Sequence, residues 1–404
     1  MSRLDHLDPT IKKQQILFEQ LCSVLQADVL TEVRQATQGI EIEFSQRTEM
    51  AADSLKITQT TMPDLFTICK EVIANIGYNK PVDFYIQGSS QVNAYSYYSE
   101  NPEKSHIVVI NSALFNLMDE QELKYILGHE IGHLINKDTY VKRLYHFIYP
   151  EEGVAPEIIE TRMKQYDQLC EYAADRYGFL GCLNLEACIS ACYKMTSGID
   201  LKKMNVSIQS LIEQNYENIE ILFNNGAVQQ GDHPDIPLRI QALIGFATFK
   251  TQKRLDEMME EFYTLIPGMF HGENHQFMAQ FVGAAGILLA THDGKMDKSE
   301  KDMIIEEIAK YTLEASKEFK RIMKAGPQQQ FEEAVSVILD RYPSLAGDML
   351  DFYIKLAFAD KNITKKELDD IKDFGKMIDL EEDDVYGAIR NELKENYYSI
   401  ADGL

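Results

Sequence analysis

The chain has 404 residues, too many for one ordinary small domain, and 45% of them are hydrophobic, enough for more than one core. Its 64 acidic and 40 basic residues leave a formal charge of −24, which phosphate backbones and anionic membrane surfaces repel. Nucleic acid is therefore not an expected partner. The most apolar stretch, Phe281 to Ala290, is about half as long as a bilayer requires, and the N-terminus lacks the apolar core of an export signal. The six cysteines form no CxxC pair and read as reduced thiols, so the expected location is cytoplasmic with no transmembrane segment. Cys188 and Cys192, four apart on an expected helix, read as core thiols rather than metal ligands.

The first predicted element is a helix from about Ile11 to Ala36, where Ile16, Leu17, Leu21, Leu25, Val29, Leu30 and Val33 share a stripe. Gln38 to Thr61 is polar and reads as a connector. A second helix is predicted from Pro63 to Ile76, with Gly77 as its stop. Three strands follow: Pro81 to Ile86, Asn93 to Tyr98, and the apolar His106 to Ile110. The rest reads as helical, apart from a loop at Gly231 to Pro237. Composition shifts near Gly268 to Asn274. Beyond it, two similar segments each carry an apolar helix, a short acidic turn and an acidic amphipathic helix, as in a duplicated helical hairpin.

The chemistry centres on His129-Glu130-Ile131-Gly132-His133. Asp119 and Glu122 have capping-box spacing and start a helix near Glu120. Histidines four apart on a helix present both imidazoles from one face, able to bind one Zn²⁺. Glu130 lies about 100° around the helix from His129, near the metal without ligating it, where a general base belongs. Chance gives this pattern in at most about three of a hundred such chains. Gly128 and Gly132 each cost about 1 kcal/mol relative to Ala in a helix. Close approach of another backbone or of substrate is a natural compensation. The best third ligand is Glu171, in Cys170-Glu171-Tyr172-Ala173-Ala174-Asp175, with room before it for a loop and a returning helix. Asp175 shares its face and suits the second ring N–H of a ligand histidine.

At these residues the chain resembles the HtpX-like peptidases, the family that includes the CAAX prenyl protease; they pair HExxH with a downstream glutamate ligand. Asn93-Ala94-Tyr95, His106 to Ile110 and Asp119 to Leu123 resemble the family's stretch ahead of the motif. Asp232-His233-Pro234 with Arg239-Ile240 and Leu243 resembles its downstream element. The resemblance, covering roughly Pro63 to Phe246, implies that His233 and Arg239 stabilise the tetrahedral intermediate or place the substrate. The chain departs from the best-known members in having no transmembrane helix, which puts a membrane chamber and prenylated substrates in doubt. Residues from about His275 onward resemble the TerB-like tellurite-resistance module. Asp293, Asp297 and Glu300 there are candidate metal ligands, but Asp297–Glu300 and Thr364–Glu367 also have capping-box spacing. His271 and His275 are four apart, but the intervening Gly272 and Asn274 disfavour a helix.

The expected fold is α+β and mainly helical: a zincin-like peptidase domain with a small sheet, then an all-α TerB-like bundle. The expected boundaries are an N-terminal helical segment 1–62, a metallopeptidase domain 63–250, a linker 251–274 and a helical domain 275–404. The expected function is a zinc-dependent endopeptidase with one Zn²⁺ on His129, His133 and Glu171. Glu130 is the base, His233 and Arg239 assist catalysis, and Asp175 stands behind the ligands. A peptide or protein substrate lies along Asn93, Ala94, Tyr95 and Ser96 by strand addition, and the C-terminal domain supplies partner binding or control of access. Two alternatives compete: a zinc-binding regulatory protein or scaffold on a peptidase fold with little turnover, and a chaperone led by the C-terminal part.

Overall fold

A computed structural model describes residues 7–36, 40–151, 153–225, 233–266, 269, 273–291, 296, 298–358 and 365–401. The fold is α+β and mainly helical, with one four-stranded sheet. It divides into two compact units, Met1–Met269 and Phe270–Leu404. Among the described residues no helix is long and apolar enough to cross a membrane.

The first unit begins with α1 (Lys12–Val24) and α2 (Ala27–Arg34), where one helix was expected. Gln26 between them has φ 47°, so the chain turns and the predicted stripe is broken. Leu17, Leu21 and Leu25 are buried, whereas Val29 and Val33 are exposed. The expected connector holds α3 (Ile40–Asp53) and a short strand β1 (Ser54–Lys56). The strand escapes sequence reading because it is mostly solvent-facing and joins the sheet through its backbone. In this helix Met50 is fully buried against Tyr85, Ile107 and Val109.

Next come α4 (Pro63–Ile76), ended by Gly77 at φ 76°, then β2 (Val82–Gln87), β3 (Ala94–Tyr97) and β4 (His106–Asn111). The sheet order is β1-β2-β4-β3. The second and fourth strands pair in parallel from Val82↔His106 to Gln87↔Asn111; β3 lies antiparallel on β4 and forms one edge. Every β4 residue is buried, as befits an apolar run between two neighbours.

Helices α5 (Ser112–Leu117) and α6 (Glu120–Asn136) follow, then α7 (Asp138–Ile148) and α8 (Glu157–Cys182). Helix α6 lies in the core against β3, β4 and α4, and its broadest contact is with α8. The glycines explain the intimacy. A Cβ on Gly128 would lie 2.7 Å from the Tyr177 carbonyl oxygen, and one on Gly132 would lie 2.7 Å from Ala174 Cα. The helical penalty at these glycines is thus offset by backbone-to-backbone packing against α8. The unit continues with α9 (Leu185–Ser197), α10 (Ile208–Asn225), α11 (Ile236–Thr248) and α12 (Gln252–Tyr263). The last of these falls within the expected linker 251–274. It is an ordered helix with Leu255, Met259, Phe262 and Tyr263 buried, and it packs on α11. The N-terminal segment is likewise bound into this unit: Arg176 of α8 donates to the Thr10 carbonyl at 3.1 Å.

Among the described residues the elements of the second unit are helices: α13 (Glu273–Ala290), α14 (Lys298–Ala309), α15 (Ala315–Ala325), α16 (Pro327–Arg341), α17 (Ala346–Ala357), α18 (Lys365–Met377) and α19 (Glu382–Ala401). Its core surrounds α13, where Phe281 stacks on Phe374 at 5.8 Å and meets Phe352 edge-on. Asp293, Asp297, the acidic turn 359–364, His271 and Asp232 lie outside the described residues.

Candidate metal centre and active site

Helix α6 starts with a capping box: Asp119 accepts from the Glu122 backbone at 3.0 Å, and Glu122 accepts from the Asp119 backbone at 2.7 Å. Glu122 is anchored in turn by Lys194 of α9, at 2.7 Å with both side chains almost fully buried. This holds the helix in register while its third and fourth turns deliver His129, Glu130 and His133. The two imidazole Nε2 atoms face each other at 2.9 Å. Glu171 of α8 brings its carboxylate to 3.6 Å from His129 Nε2 and 3.5 Å from His133 Nε2. One donor atom from each of the three lies within 4.8 Å of the others, so the cluster could hold a metal ion. Among the described residues it is the one such group.

The other ring nitrogens are also held. His129 Nδ1 is 2.9 Å from Asp175 Oδ1, and His133 Nδ1 contacts Asp138 Oδ2. Each carboxylate fixes its ring and leaves Nε2 free to face the centre. Sequence reasoning found Asp175 and missed Asp138. That residue lies five positions after His133, beyond the helix end, and is turned back by Lys137 at φ 58°. Asp175 is further gripped by the Tyr125 hydroxyl at 2.7 Å and by Arg239 Nη2 at 2.7 Å and Nε at 2.9 Å. Arg239 also reaches Glu171 at 2.9 Å. In this structure its guanidinium therefore engages two carboxylates of α8, Glu171 and Asp175. His233 is the more accessible partner: its Nδ1 is 3.1 Å from Glu171 Oε1 and its side chain is 65% exposed.

The electrostatics follow from this crowding. Burial pushes the Glu130 carboxyl above its usual range, though both histidines and Ser96 pull it back. Burial also opposes ionisation of Glu171 and Asp175. Arg239, with the surrounding imidazoles, outweighs it, holding Glu171 well below the carboxylate range and Asp175 down at about 2. His133 is buried too, but Asp138, Glu171 and Glu130 raise it to about 10. Four carboxylates, those of Glu130, Asp138, Glu171 and Asp175, gather around the two imidazoles, an acidic surrounding that suits a divalent cation.

The cluster floors a cavity of about 250 Å³. All four positions expected to bind substrate, Asn93, Ala94, Tyr95 and Ser96, line it, as do His233 and Arg239. Lys142 and Met195 also line it and carried no sequence signal. Cys192 is at the wall, 3.3 Å from the Tyr125 hydroxyl; Cys188 lies against Cys182, also at 3.3 Å. Neither joins the three-residue cluster.

Residues 59–150 match the model for peptidase family M48. That match includes the HExxH helix and stops before Glu171, Asp175, His233 and Arg239. Among curated proteins, a protease HtpX homolog of Thermoplasma volcanium is 35% identical over 71 residues, 18% of this chain and 22% of that protein. Another, of Ralstonia nicotianae, is 26% identical over 89 residues, 22% of this chain and 30% of that protein. A longer match is to the plastoglobule-localized metallopeptidase 48, chloroplastic, of Arabidopsis thaliana, 22% identical over 192 residues, 46% of this chain and 55% of that protein. The chain thus spans between about a fifth and about a half of these relatives' lengths. No solved structure matches it. The matches support a metallopeptidase of family M48.

Proposed function

We propose that this protein is a zinc-dependent endopeptidase, with one Zn²⁺ held by His129, His133 and Glu171. The observation that carries the reading is the convergence of two imidazoles and a carboxylate on the floor of a cavity, with Glu130 beside them. The donor set fits the metal: nitrogen and carboxylate oxygen are zinc ligands, three protein ligands suit a catalytic site, and both imidazoles have a carboxylate behind them. A zinc ion there supplies Lewis acidity, polarising a carbonyl and making water acidic near neutral pH.

The rest of the chemistry belongs to the chain. Glu130 accepts a proton from the attacking water and passes it to the leaving amine; its burial, which raises its pKa, favours that shuttle. His233, at the exposed rim, donates to the developing oxyanion. Arg239 keeps Glu171 and Asp175 ionised and placed. The substrate is a peptide in extended form, added to the free edge of β3.

The test is the Glu130→Gln variant, nearly isosteric but unable to act as a base near neutral pH. It should retain zinc by elemental analysis and lose cleavage of unfolded casein. Cleavage within a few-fold of the parent would mean another base. A zinc-loaded parent that cleaves nothing would favour a regulatory or scaffold role.

A further inference from the structure

The free edge of the sheet is short, and the structure shows what shortens it. In an antiparallel pair, residues alternate between hydrogen-bonding the partner strand and pointing their backbone groups away. The Asn111 backbone N–H donates to the Asn93 carbonyl at 3.0 Å, which fixes the phase. Asn93, Tyr95 and Tyr97 therefore face β4, and Ala94, Ser96 and Tyr98 turn their N–H and C=O outward. Ala94 and Ser96 line the cavity above the histidines.

Tyr98, the next outward position, is already occupied. Its N–H donates to Thr139 Oγ1 at 3.3 Å, and its carbonyl accepts from Arg143 Nη2 at 2.6 Å. Both partners come from α7. Arg143 is itself held by Glu100 at 2.9 Å, and Glu100 is paired on its other side with the buried Arg34. The Tyr98 ring stacks on His106 at 4.6 Å, so the residue is fixed through side chain and backbone alike.

We propose that Thr139 and Arg143 form a stop that ends substrate strand pairing at Ser96, making them specificity-determining residues. This inference rests on the peptidase reading above and adds a limit to it. Within β3 a bound peptide forms backbone hydrogen bonds at two positions, Ala94 and Ser96, and must leave the strand path at Tyr98. Length and backbone character beyond that point do not contribute to binding.

The test is a backbone N-methyl scan of a casein-derived peptide, read as binding to zinc-loaded Glu130→Gln protein and as cleavage by the parent. Each methyl removes a donor and leaves a protein carbonyl unpaired, so about a tenfold loss of binding is expected at each pairing position. Two sensitive positions, two apart, are expected, with binding insensitive beyond them. In Thr139→Ala/Arg143→Ala a third should appear two residues further on. Arg143→Met, which frees the Tyr98 carbonyl that a peptide N–H would meet, serves if the double variant unfolds. Three or more sensitive positions at that spacing in the Glu130→Gln protein overturn the stop, as does an unchanged pattern in folded variants. Binding with the two-position pattern but without parental cleavage would instead sink the peptidase reading alone. Neither binding nor cleavage would overturn both.

Discussion

Replacing Gly132 with alanine tests whether the approach of α6 and α8 builds the metal centre. The new Cβ would sit 2.7 Å from Ala174 Cα, where ordinary contact begins at 3.4 Å. The two backbones must therefore part by about 0.7 Å there, because packed interiors have little slack. Better helix propensity returns about 1 kcal/mol, against about 1–3 kcal/mol for overpacking. The net loss of stability is thus up to about 2 kcal/mol. The larger effect is local: Ala174 is three residues after Glu171 and next to Asp175, while Gly132 is next to His133. Sites of this kind tolerate displacements of about 0.5 Å. Zinc affinity, measured by competition with a chromophoric chelator, should fall at least about tenfold, comparable to losing an outer-shell partner. By contrast, Gly387→Ala in α19 meets nothing within 4 Å, and thermal unfolding should show a gain of up to about 1 kcal/mol. Gly132→Ala with parental Tm and zinc affinity within about twofold would refute the reasoning.

Asp138→Ala should weaken zinc binding about 10–100-fold in the same competition assay, because His133 loses its ring anchor; parental affinity would show the contact to be incidental. Arg239→Ala and His233→Ala should separate placement from catalysis. Without Arg239, two buried carboxylates lose their cation, and both stability, by about 3–5 kcal/mol, and zinc content should drop; without His233, zinc and KM should persist while kcat falls about 10²–10³-fold. The opposite pattern would exchange the roles. Burial opposes ionisation of Asp119, but the Glu122 backbone N–H and Lys202 hold its pKa below the ordinary value. A pKa depressed in the fold contributes stability that is full above the unfolded value, about 3.9, and is lost as pH falls through the folded one. The Tm difference between parent and Asp119→Asn should therefore be constant near neutrality and shrink in acid; a difference independent of pH would assign the cap no charge dependence. Residues 270–404 expressed alone should fold, since they enclose their own apolar core; an unfolded circular-dichroism spectrum would refute that independence.

What the sequence made legible was local. The Pro63 start and Gly77 stop of α4, the capping box before α6, and the apolar run of β4 each depend on residues within a few positions. The same holds for His129, Glu130 and His133, whose spacing alone places them on one helix. Glu171 and Asp175 were legible through their own four-residue spacing beside two alanines. What escaped depends on conformations that side chains do not announce. The break at Gln26 and the return at Lys137 both use positive φ at residues with no special preference for it. The first exposed two valines expected inside; the second brings Asp138 onto His133.

Arg239 illustrates a further limit. The sequence offered a positive charge near the site, and its expected use was on the substrate. The structure surrounds it with Asp175 and Glu171, contacts that become visible only when α8 and α11 are brought together. A buried guanidinium with two carboxylates is already committed: pulling it toward an oxyanion would strand at least one of them in a low-dielectric interior, at a cost of several kcal/mol. His233 has no such obligation to the core: among the described residues it is exposed and contacts Glu171. On the proposed reading, the exposed His233 is the one placed to answer charge as it develops, and the buried Arg239 holds Glu171 and Asp175 in place while it does.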